Sequence, residues 1–139
     1  MRNRDPGPKT PAADATRVWF RLLRLESRIS TALGSRLRAL GLTAPQCDVL
    51  TTLTEREGVS QQELAERLYV TKGNISGLID RLVSGGLVER RTIAGDRRSH
   101  AIYLTPAGAR RAQESIAMQR EFVAQTFGQL PPEKLIAFE

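Results

Sequence analysis

Four side chains within one short segment have the chemistry of nucleic-acid contacts. Asn74 and Ser76 can each donate and accept hydrogen bonds at base edges. Lys72 and Arg81 are cations that can bind backbone phosphate. A polar helix face is also what exposure to solvent alone produces, so these residues indicate a function only if the surrounding elements present them together.

Three consecutive charged residues, Asp96, Arg97 and Arg98, form a second candidate group. The sequence on either side alternates as two short strands, so the group lies at the tip of a predicted hairpin. Arginine on a narrow ribbon can enter the minor groove of DNA, where the negative potential is enhanced. The same arginines could instead only keep a hairpin soluble. The remaining candidate contacts to a nucleic acid are Ser60, Gln61, Thr71, Arg90 and Arg91.

The chain offers little for catalysis, metal binding or a cofactor. It contains one cysteine, Cys47, and one histidine, His100, so it has neither an internal disulfide nor the histidine pair or cysteine cluster of a zinc site. His100 lies in a strand-like run, and the sequence has no Gly-x-Ser-x-Gly elbow and no glycine-rich phosphate loop. We therefore expect no enzyme activity, no catalytic residue, no metal and no cofactor.

The composition indicates one small domain with an anionic partner. The formal net charge is +6, and 40% of the residues are hydrophobic. No apolar run approaches the roughly 18 residues of a membrane span, and the N-terminus lacks a secretory signal, so we expect a cytoplasmic protein without a membrane partner. One arginine stripe is either a solvated flank or a contact for phosphate or an effector, and it consists of Arg17, Arg21, Arg24 and Arg28.

Hydrophobic spacing predicts one long helix near the start of the chain. Apolar residues recur every three or four positions from about residue 16 to residue 40, as on one face of an amphipathic helix. Residues 1–15 are rich in proline and poor in large apolar side chains, which predicts a disordered arm. The rest of the chain, residues 16–139, is predicted to form a single domain.

Capping signals predict three further helices in close succession. Thr43 and Gln46 form a capping box, in which each side chain satisfies the backbone amide of the other. Ser60 and Glu63 repeat this pattern, and Thr71 can cap the next helix. Two helices joined by so short a turn, the second polar and basic on its free face, are typical of a helix-turn-helix.

A hairpin and a last helix complete the predicted fold. Residues 87–93 and 99–104 alternate as strands around a short turn, and a hairpin directly after a helix-turn-helix is a wing. Thr105 and Pro106 then predict the start of a helix that continues to Leu130, with Val123 in its apolar seam and Phe122 beside it. The expected fold class is mainly α with a small β-hairpin wing.

The order of these motifs resembles the multiple-antibiotic-resistance regulator (MarR) family of winged helix-turn-helix transcription factors. Single motifs are weak, but their order and spacing from about residue 17 to residue 130 are specific. The residues that carry the resemblance are Gly41-Leu42-Thr43-Ala44-Pro45-Gln46, Gln62-Glu63-Leu64-Ala65-Glu66-Arg67-Leu68, Ile75-Ser76-Gly77-Leu78-Ile79-Asp80-Arg81-Leu82, Gly86-Leu87-Val88, Asp96-Arg97-Arg98 and Leu104-Thr105-Pro106-Ala107-Gly108.

The resemblance implies a homodimer that binds double-stranded DNA. Residues 16–40 and 106–139 would supply the dimerisation helices, and residues 41–105 the DNA-binding lobe. Residues 71–84 would be the recognition helix in the major groove. Arg98 matches the wing arginine of the minor groove, Asp96 matches the acid that holds it, and Arg97 could share the role. A two-fold dimer predicts a palindromic operator with half-sites roughly 10 bp apart.

The resemblance also implies repression that a small aromatic or anionic effector relieves. The candidate lining residues of an effector pocket are Trp19, Phe20, Arg21, Arg24 and Cys47. Two alternatives remain open at this stage. One is a redox-responsive regulator switched through Cys47, although its apolar neighbours favour a packed and inert thiol. The other is a winged-helix module that contacts protein or RNA.

Overall fold

A computed structural model describes residues 14–139 of the chain, apart from the side chain of Arg97. The predicted disordered arm, residues 1–15, lies outside the described residues except for Asp14 and Ala15. The described residues fall into two compact units, residues 14–32 and residues 33–139. Within the described part, no helix has the length and apolar character needed to cross a bilayer.

In the first unit, the described residues form a helix with an exposed apolar surface. Helix α1 is Ala15–Ala39, so the predicted long helix is confirmed to within one residue at each end. Asp14 Oδ1 accepts a hydrogen bond of 3.0 Å from the Thr16 amide at its start. Its apolar side chains in this unit are nevertheless open to solvent in the single chain, with about half of each exposed: Val18, Trp19, Phe20, Leu22, Leu23 and Leu25.

The second unit contains the remaining helices and one small sheet. The helices are α2 (Ala44–Glu55), α3 (Gln61–Arg67), α4 (Lys72–Ser84), α5 (Pro106–Gln125) and α6 (Pro132–Ile136), with a 3-10 turn at Phe127–Gln129. The strands are β1 (Val59–Ser60), β2 (Val88–Ile93) and β3 (Asp96–Leu104), in the antiparallel order β1-β3-β2. Strands β2 and β3 are the predicted wing, and β1 is an addition that the sequence did not predict.

Side-chain caps explain where these helices begin. The Thr43 hydroxyl accepts from the Gln46 amide at 3.3 Å, and Gln46 Oε1 accepts from the Thr43 amide at 3.0 Å, which confirms the predicted capping box. Ser60, Thr71 and Thr105 accept from the third amide of α3, α4 and α5. Each cap satisfies one backbone donor that the helix itself cannot pair. The predicted helix starts are therefore confirmed. The predicted second capping box is only half formed, because Ser60 accepts from the Glu63 amide and no return bond from the Glu63 side chain is found among the described residues.

The core of the lobe lies where α2, α3 and α4 meet the sheet. The side chains with no exposed surface include Val49, Leu50, Leu53, Leu64, Ile75, Ile79, Leu82 and Ile102. Full burial of one such side chain stabilises the fold by roughly 1.5–3 kcal/mol. Because Ile75, Ile79 and Leu82 occupy one face of α4, the opposite face of that helix must turn outward.

The prediction for α5 was wrong in two respects. The helix ends at Gln125 rather than at Leu130, where the Thr126 hydroxyl donates a 2.7 Å hydrogen bond to the Phe122 carbonyl. Phe122 is buried and Val123 is half exposed, the reverse of the predicted seam. The physical reason is that the buried face of α5 also uses small residues, Gly108, Ala112 and Ser115, which a hydrophobic pattern hardly detects.

The start of α5 is attached directly to the end of α4. The Thr105 hydroxyl donates to the Gly86 carbonyl at 2.6 Å, and the Thr105 amide donates to the Leu87 carbonyl at 3.1 Å. A methyl group at Gly108 would overlap the same Leu87 carbonyl. Glycine is therefore required at this crossing, because only a residue without a Cβ allows the two backbones to come so close.

The turn between α3 and α4 contains the one non-glycine residue of the described chain with positive φ. Tyr69 has φ of +53°, and its side chain is 97% exposed. A bulky residue is disfavoured in this left-handed region. Its phenol ring recovers none of that cost by burial. The turn therefore holds strain that a glycine would relieve.

We predict that Tyr69→Gly raises the free energy of unfolding by about 1 kcal/mol. Relief of left-handed strain, about 1–2 kcal/mol, exceeds the entropic cost of a glycine in the unfolded chain, about 0.5–1 kcal/mol. Urea unfolding followed by circular dichroism measures the difference. Tyr69→Ala is the control, because it removes the same ring but keeps the Cβ, and it should leave stability within about 0.5 kcal/mol. A destabilised glycine variant would contradict the strain.

Candidate nucleic-acid interface

Helix α4 presents a polar face because its apolar face is committed to the core. Lys72, Asn74 and Arg81 are exposed, as the sequence predicted for a contact surface. A methyl group added at Gly73 or Gly77 would meet no other atom within 4 Å. The backbone of α4 is thus open to close approach along this face. The structure brings together the polar and small residues that could read a groove.

The hydroxyl of Thr71 serves as a cap, while the side chain of Asn74 remains available. Thr71 Oγ1 accepts from the Asn74 backbone amide at 3.2 Å. The Asn74 side chain is exposed near the first turn of α4, where recognition side chains of a helix-turn-helix ordinarily reach base edges. Thr71 therefore positions the start of α4, and Asn74 offers the free amide.

Arg90 on β2 connects the wing to both helices of the helix-turn-helix. Its Nη1 lies 2.6 Å from Asp80 Oδ1, its Nη2 donates to the Ser76 carbonyl at 3.3 Å, and its Nε donates to Gln61 Oε1 at 3.2 Å. Every guanidinium nitrogen is thus engaged within the protein. Arg90 and Gln61 were predicted contacts to the nucleic acid, and this geometry favours a positioning role for Arg90.

Arg91, the next residue of β2, points to the outer face of the wing. It forms hydrogen bonds of 2.8 and 2.5 Å to Glu89 Oε1, and its guanidinium lies 3.8 Å from the centroid of the Tyr103 ring. The hydrogen bond to Glu89 is the main reason why the pKa of Arg91 is raised. The predicted phosphate contact would have to compete with this carboxylate.

The turn of the wing is organised by Asp96. Its Oδ1 accepts from the Arg98 backbone amide at 2.9 Å, and its Oδ2 accepts from the Ser99 hydroxyl at 2.6 Å. These two hydrogen bonds, that of Ser99 first, lower the pKa of Asp96. The resemblance implied that Asp96 holds Arg98, and it does so through the main chain. The side chain of Arg97 lies outside the described part of the structure.

The Arg98 guanidinium is exposed and is not neutralised by a carboxylate. The two salt bridges found among the described residues join Arg90 to Asp80 and Arg91 to Glu89. Arg98 takes part in neither, so its charge remains available to an external anion. Of the arginines on the wing whose side chains are described, Arg98 best fits a minor-groove contact.

A cavity of about 200 Å³ lies where the wing meets the two helices. Four predicted contact residues, Ser60, Gln61, Lys72 and Arg98, line it. His100 lines it as well, and the sequence did not predict a role for this residue. No local signal identified it, because the cavity combines residues of β1, α3, α4 and β3, and strand alternation does not separate Arg98, Ser99 and His100, which all line it.

The candidate effector residues fall in two different units. Trp19, Phe20, Arg21 and Arg24 lie in the first unit, where all four are exposed. Cys47 lies in the second unit, where it is 1% exposed and its sulfur accepts from Gln119 Nε2 at 3.1 Å. The effector pocket therefore stays a prediction. Burial of Cys47 agrees with a packed thiol and disfavours the redox alternative.

Residues 14–139 contain no cluster of three or more histidine, cysteine, aspartate or glutamate residues that could hold a metal ion.

Comparison with known proteins gives a consistent result. The model of the MarR family matches residues 40–99. YsmB of Bacillus subtilis (strain 168), described as an uncharacterized HTH-type transcriptional regulator, is 33% identical over 103 residues, which are 74% of this chain and 70% of YsmB.

Two solved structures extend the similarity to most of the chain. AbsC, a MarR family transcriptional regulator from Streptomyces coelicolor, superposes with a TM-score of 0.81 at 25% identity and covers 93% of this chain and 90% of its own. A MarR family regulator from Rhodococcus sp. RHA1 has a TM-score of 0.77 at 26% identity, with 91% of this chain and 90% of its own covered. The predicted fold class is confirmed.

We predict that Arg90→Ala and Asp80→Asn both weaken binding to a duplex selected by the wild-type protein, by about tenfold, a cost of about 1.4 kcal/mol. The reason is that the wing loses its attachment to α4. Fluorescence anisotropy measures the affinity for the selected duplex, and a random duplex measured in parallel shows whether the loss is specific to the selected sequence.

The opposite sign for Asp80→Asn would contradict the positioning role. If Arg90 bound phosphate, removing Asp80 would release its guanidinium and strengthen binding to both duplexes. Glu57→Gln is the matched control, because it removes one exposed negative charge without touching Arg90.

Proposed function

Since the chain belongs to the MarR family of helix-turn-helix transcriptional regulators, we propose that it binds double-stranded DNA as a homodimer and represses transcription from a palindromic operator. The observation that carries this proposal is the common surface formed by α4 and the wing. Lys72 of α4 and Arg98 of β3 line one cavity on that surface, and the exposed amide of Asn74 lies on the same helix as Lys72.

The dimensions of α4 suit the major groove. Its 13 residues span about 20 Å at 1.5 Å per residue, and a helix fits the roughly 12 Å width of the groove. Gly73 and Gly77 leave its backbone open on the exposed side. Asn74 would read base edges, while Lys72 and Arg81 would bind phosphates on either side.

The wing would supply the second contact. Arg98 is exposed and unneutralised, and the Asp96 carboxylate fixes the backbone from which it projects. A narrow minor groove attracts such an arginine through its negative potential. Arg97 would share this role, in keeping with its place between Asp96 and Arg98.

Exposed apolar surface in each unit supports the proposed homodimer. The first unit exposes the apolar side chains of α1. The second unit exposes others near its C-terminal end, including Val123, Leu130, Leu135, Ile136 and Phe138. Monomeric proteins rarely leave patches of this kind uncovered, and a second copy is the partner that is always present.

Release by an effector is the remaining part of the proposal. A cleft of about 530 Å³ in the second unit has Ile116 and Val123 as apolar wall, Arg120 as cation and Glu55 as an opposing carboxylate, so an anion would have to bind on the Arg120 side. That volume is in the range of small-molecule sites. A small aromatic anion fits this chemistry, and Trp19, Phe20, Arg21 and Arg24 remain further candidates. We assign no enzymatic activity to the chain.

The alternative, a winged helix that contacts protein or RNA, differs in one measurable respect. It would bind duplex DNA weakly and leave no two-fold footprint. The proposed repressor protects two half-sites about 10 bp apart. Footprinting on duplexes selected from genomic fragments distinguishes the two functions.

We predict that Arg98→Ala weakens operator binding by about 10- to 100-fold, equal to about 1.4–2.7 kcal/mol. The loss arises because the substitution removes the attraction between the Arg98 guanidinium and the negative potential of the minor groove. Gel retardation on the selected duplex measures it, and thermal unfolding should be unchanged because the side chain is exposed. Arg110→Ala removes an exposed arginine from α5 and serves as the control. Equal affinities for the Arg98 variant and the wild type would contradict the wing contact.

We predict that Leu22→Glu converts the dimer to a monomer. A carboxylate in the middle of an apolar interface loses its hydration without gaining a partner, which costs several kcal/mol. Sedimentation equilibrium measures the mass, and circular dichroism reports whether α1 is retained. Arg24→Gln, on the other side of the same helix, should remain dimeric. A wild-type monomer with a two-fold footprint would contradict the proposed assembly.

A further inference from the structure

The cavity at the base of the wing brings two cationic side chains and a histidine together, a combination that the sequence did not predict. Lys72 and Arg98 contribute two full positive charges, and His100 lies with them. None of the described side chains lining the cavity is a carboxylate. The floor is the side chain of Ile75, which has no exposed surface. A cavity that is lined by cationic side chains and by no described carboxylate favours an oxyanion as its ligand.

The uncharged donors of the cavity agree with that preference. Gln61 Oε1 is occupied by Arg90 Nε, so the Gln61 amide has only its NH₂ group left to offer. Ser60 Oγ accepts from the Glu63 amide, and its proton remains free to donate. Base edges present donors as well as acceptors, whereas a phosphate presents only acceptors. Gln62 and Ser99 also line the cavity, and each donates to a carboxylate outside it, Glu66 and Asp96 respectively, so the Ser99 hydroxyl can only accept. The free donors of Ser60 and Gln61, beside the cations Lys72 and Arg98, nevertheless favour a phosphate.

Histidine gives this site a property that its other cations lack. The imidazole is the side chain that ordinarily gains a proton between pH 5 and pH 8. Among the side chains that the structure describes, the charged groups around His100 are Lys72 from α4, and Arg98 and Asp96 from β3. From β2 it faces Thr92, and from α3 it faces Gln61, neither of which is charged. Asp96 is already engaged by Ser99 and by the Arg98 amide.

We propose that this cavity binds one backbone phosphate of DNA in each protomer and that His100, together with Lys72, is a direct phosphate contact whose protonation strengthens the complex, while Arg98 lines the cavity and adds its positive charge on the way to the minor groove. The proposal rests on the proposed DNA-binding function and adds a site and a residue to it. Because a phosphate favours the protonated imidazole, affinity rises as the pH falls. An additional ion pair also makes binding more sensitive to salt.

The salt dependence of binding at two pH values tests the contact. For the wild-type dimer, the slope of log Kobs against log salt concentration should be steeper by about 1.8 at pH 5.5 than at pH 7.5, because each of the two protomers gains one ion pair to phosphate and each pair contributes about 0.9. In His100→Gln, which keeps a donor but cannot gain charge, the two slopes should be equal. Lys72→Gln should reduce the slope at both pH values. Arg110→Gln, outside the cavity, should retain the pH effect.

Because His100 is the only histidine, the tag-free protein gives one imidazole signal by NMR. We expect this signal to move on addition of one equivalent of duplex DNA and to stay in place with millimolar inorganic phosphate. Movement with both ligands assigns the site to phosphate in general, free or esterified. Movement with inorganic phosphate alone would overturn the assignment to DNA.

The possible failures are separable. If the protein retards no duplex at either pH, the proposed DNA-binding function fails. If it binds a duplex with a two-fold footprint while the slopes of the wild type and His100→Gln change equally with pH, or neither changes, the His100 contact fails alone. An imidazole signal that ignores bound DNA leads to the same conclusion.

Discussion

Burial of one face of α4 is the constraint on which the rest of the lobe depends. Ile75, Ile79 and Leu82 have no exposed surface, and moving any of them into water costs roughly 1.5–3 kcal/mol. This fixes the rotation of α4 about its own axis. Packing of the opposite face is therefore sufficient to expose the side chains of Asn74 and Arg81. The residues exposed on α4 are thus determined by which of its residues the core buries.

The rotation of α4 about its own axis does not determine where the wing lies. Arg90 fixes the position of the wing relative to α3 and α4. Its guanidinium joins β2 to α4 through Asp80 and Ser76, and to α3 through Gln61. Partial burial strengthens such charge-assisted bonds relative to exposed ones. The lobe thereby uses one arginine for internal geometry and leaves Arg98 for an external anion. The net charge of +6 hides this division, because it counts both arginines alike.

Local signals in the sequence predict the helix starts. Contacts between residues that are far apart in the sequence leave no local signal and could not be predicted. Thr43, Thr71 and Thr105 mark caps within four residues of their partners, so a short window contains the whole interaction. Arg90 and Gln61 are 29 residues apart, and no local pattern relates them. His100 was missed for the same reason, since its cavity is assembled from four elements. The buried face of α5 was misassigned because it uses glycine, alanine and serine beside Phe122. Its end was misplaced because the apolar spacing continues through Phe127 into a 3-10 turn that is not part of the helix.

The close crossing of Gly108 and Leu87 joins the start of the long helix α5 to the segment that directly follows α4. Helix α5 has 20 residues and is about 30 Å long, and it begins where the Thr105 hydrogen bonds clasp the end of α4. A tilt of about 5° at such a joint moves the far end of a rod of that length by roughly 2.6 Å. Conversely, a small displacement at the far end of α5 is returned to α4 as a rotation. Whatever holds the distal end of α5 therefore sets the angle at which α4 meets a groove.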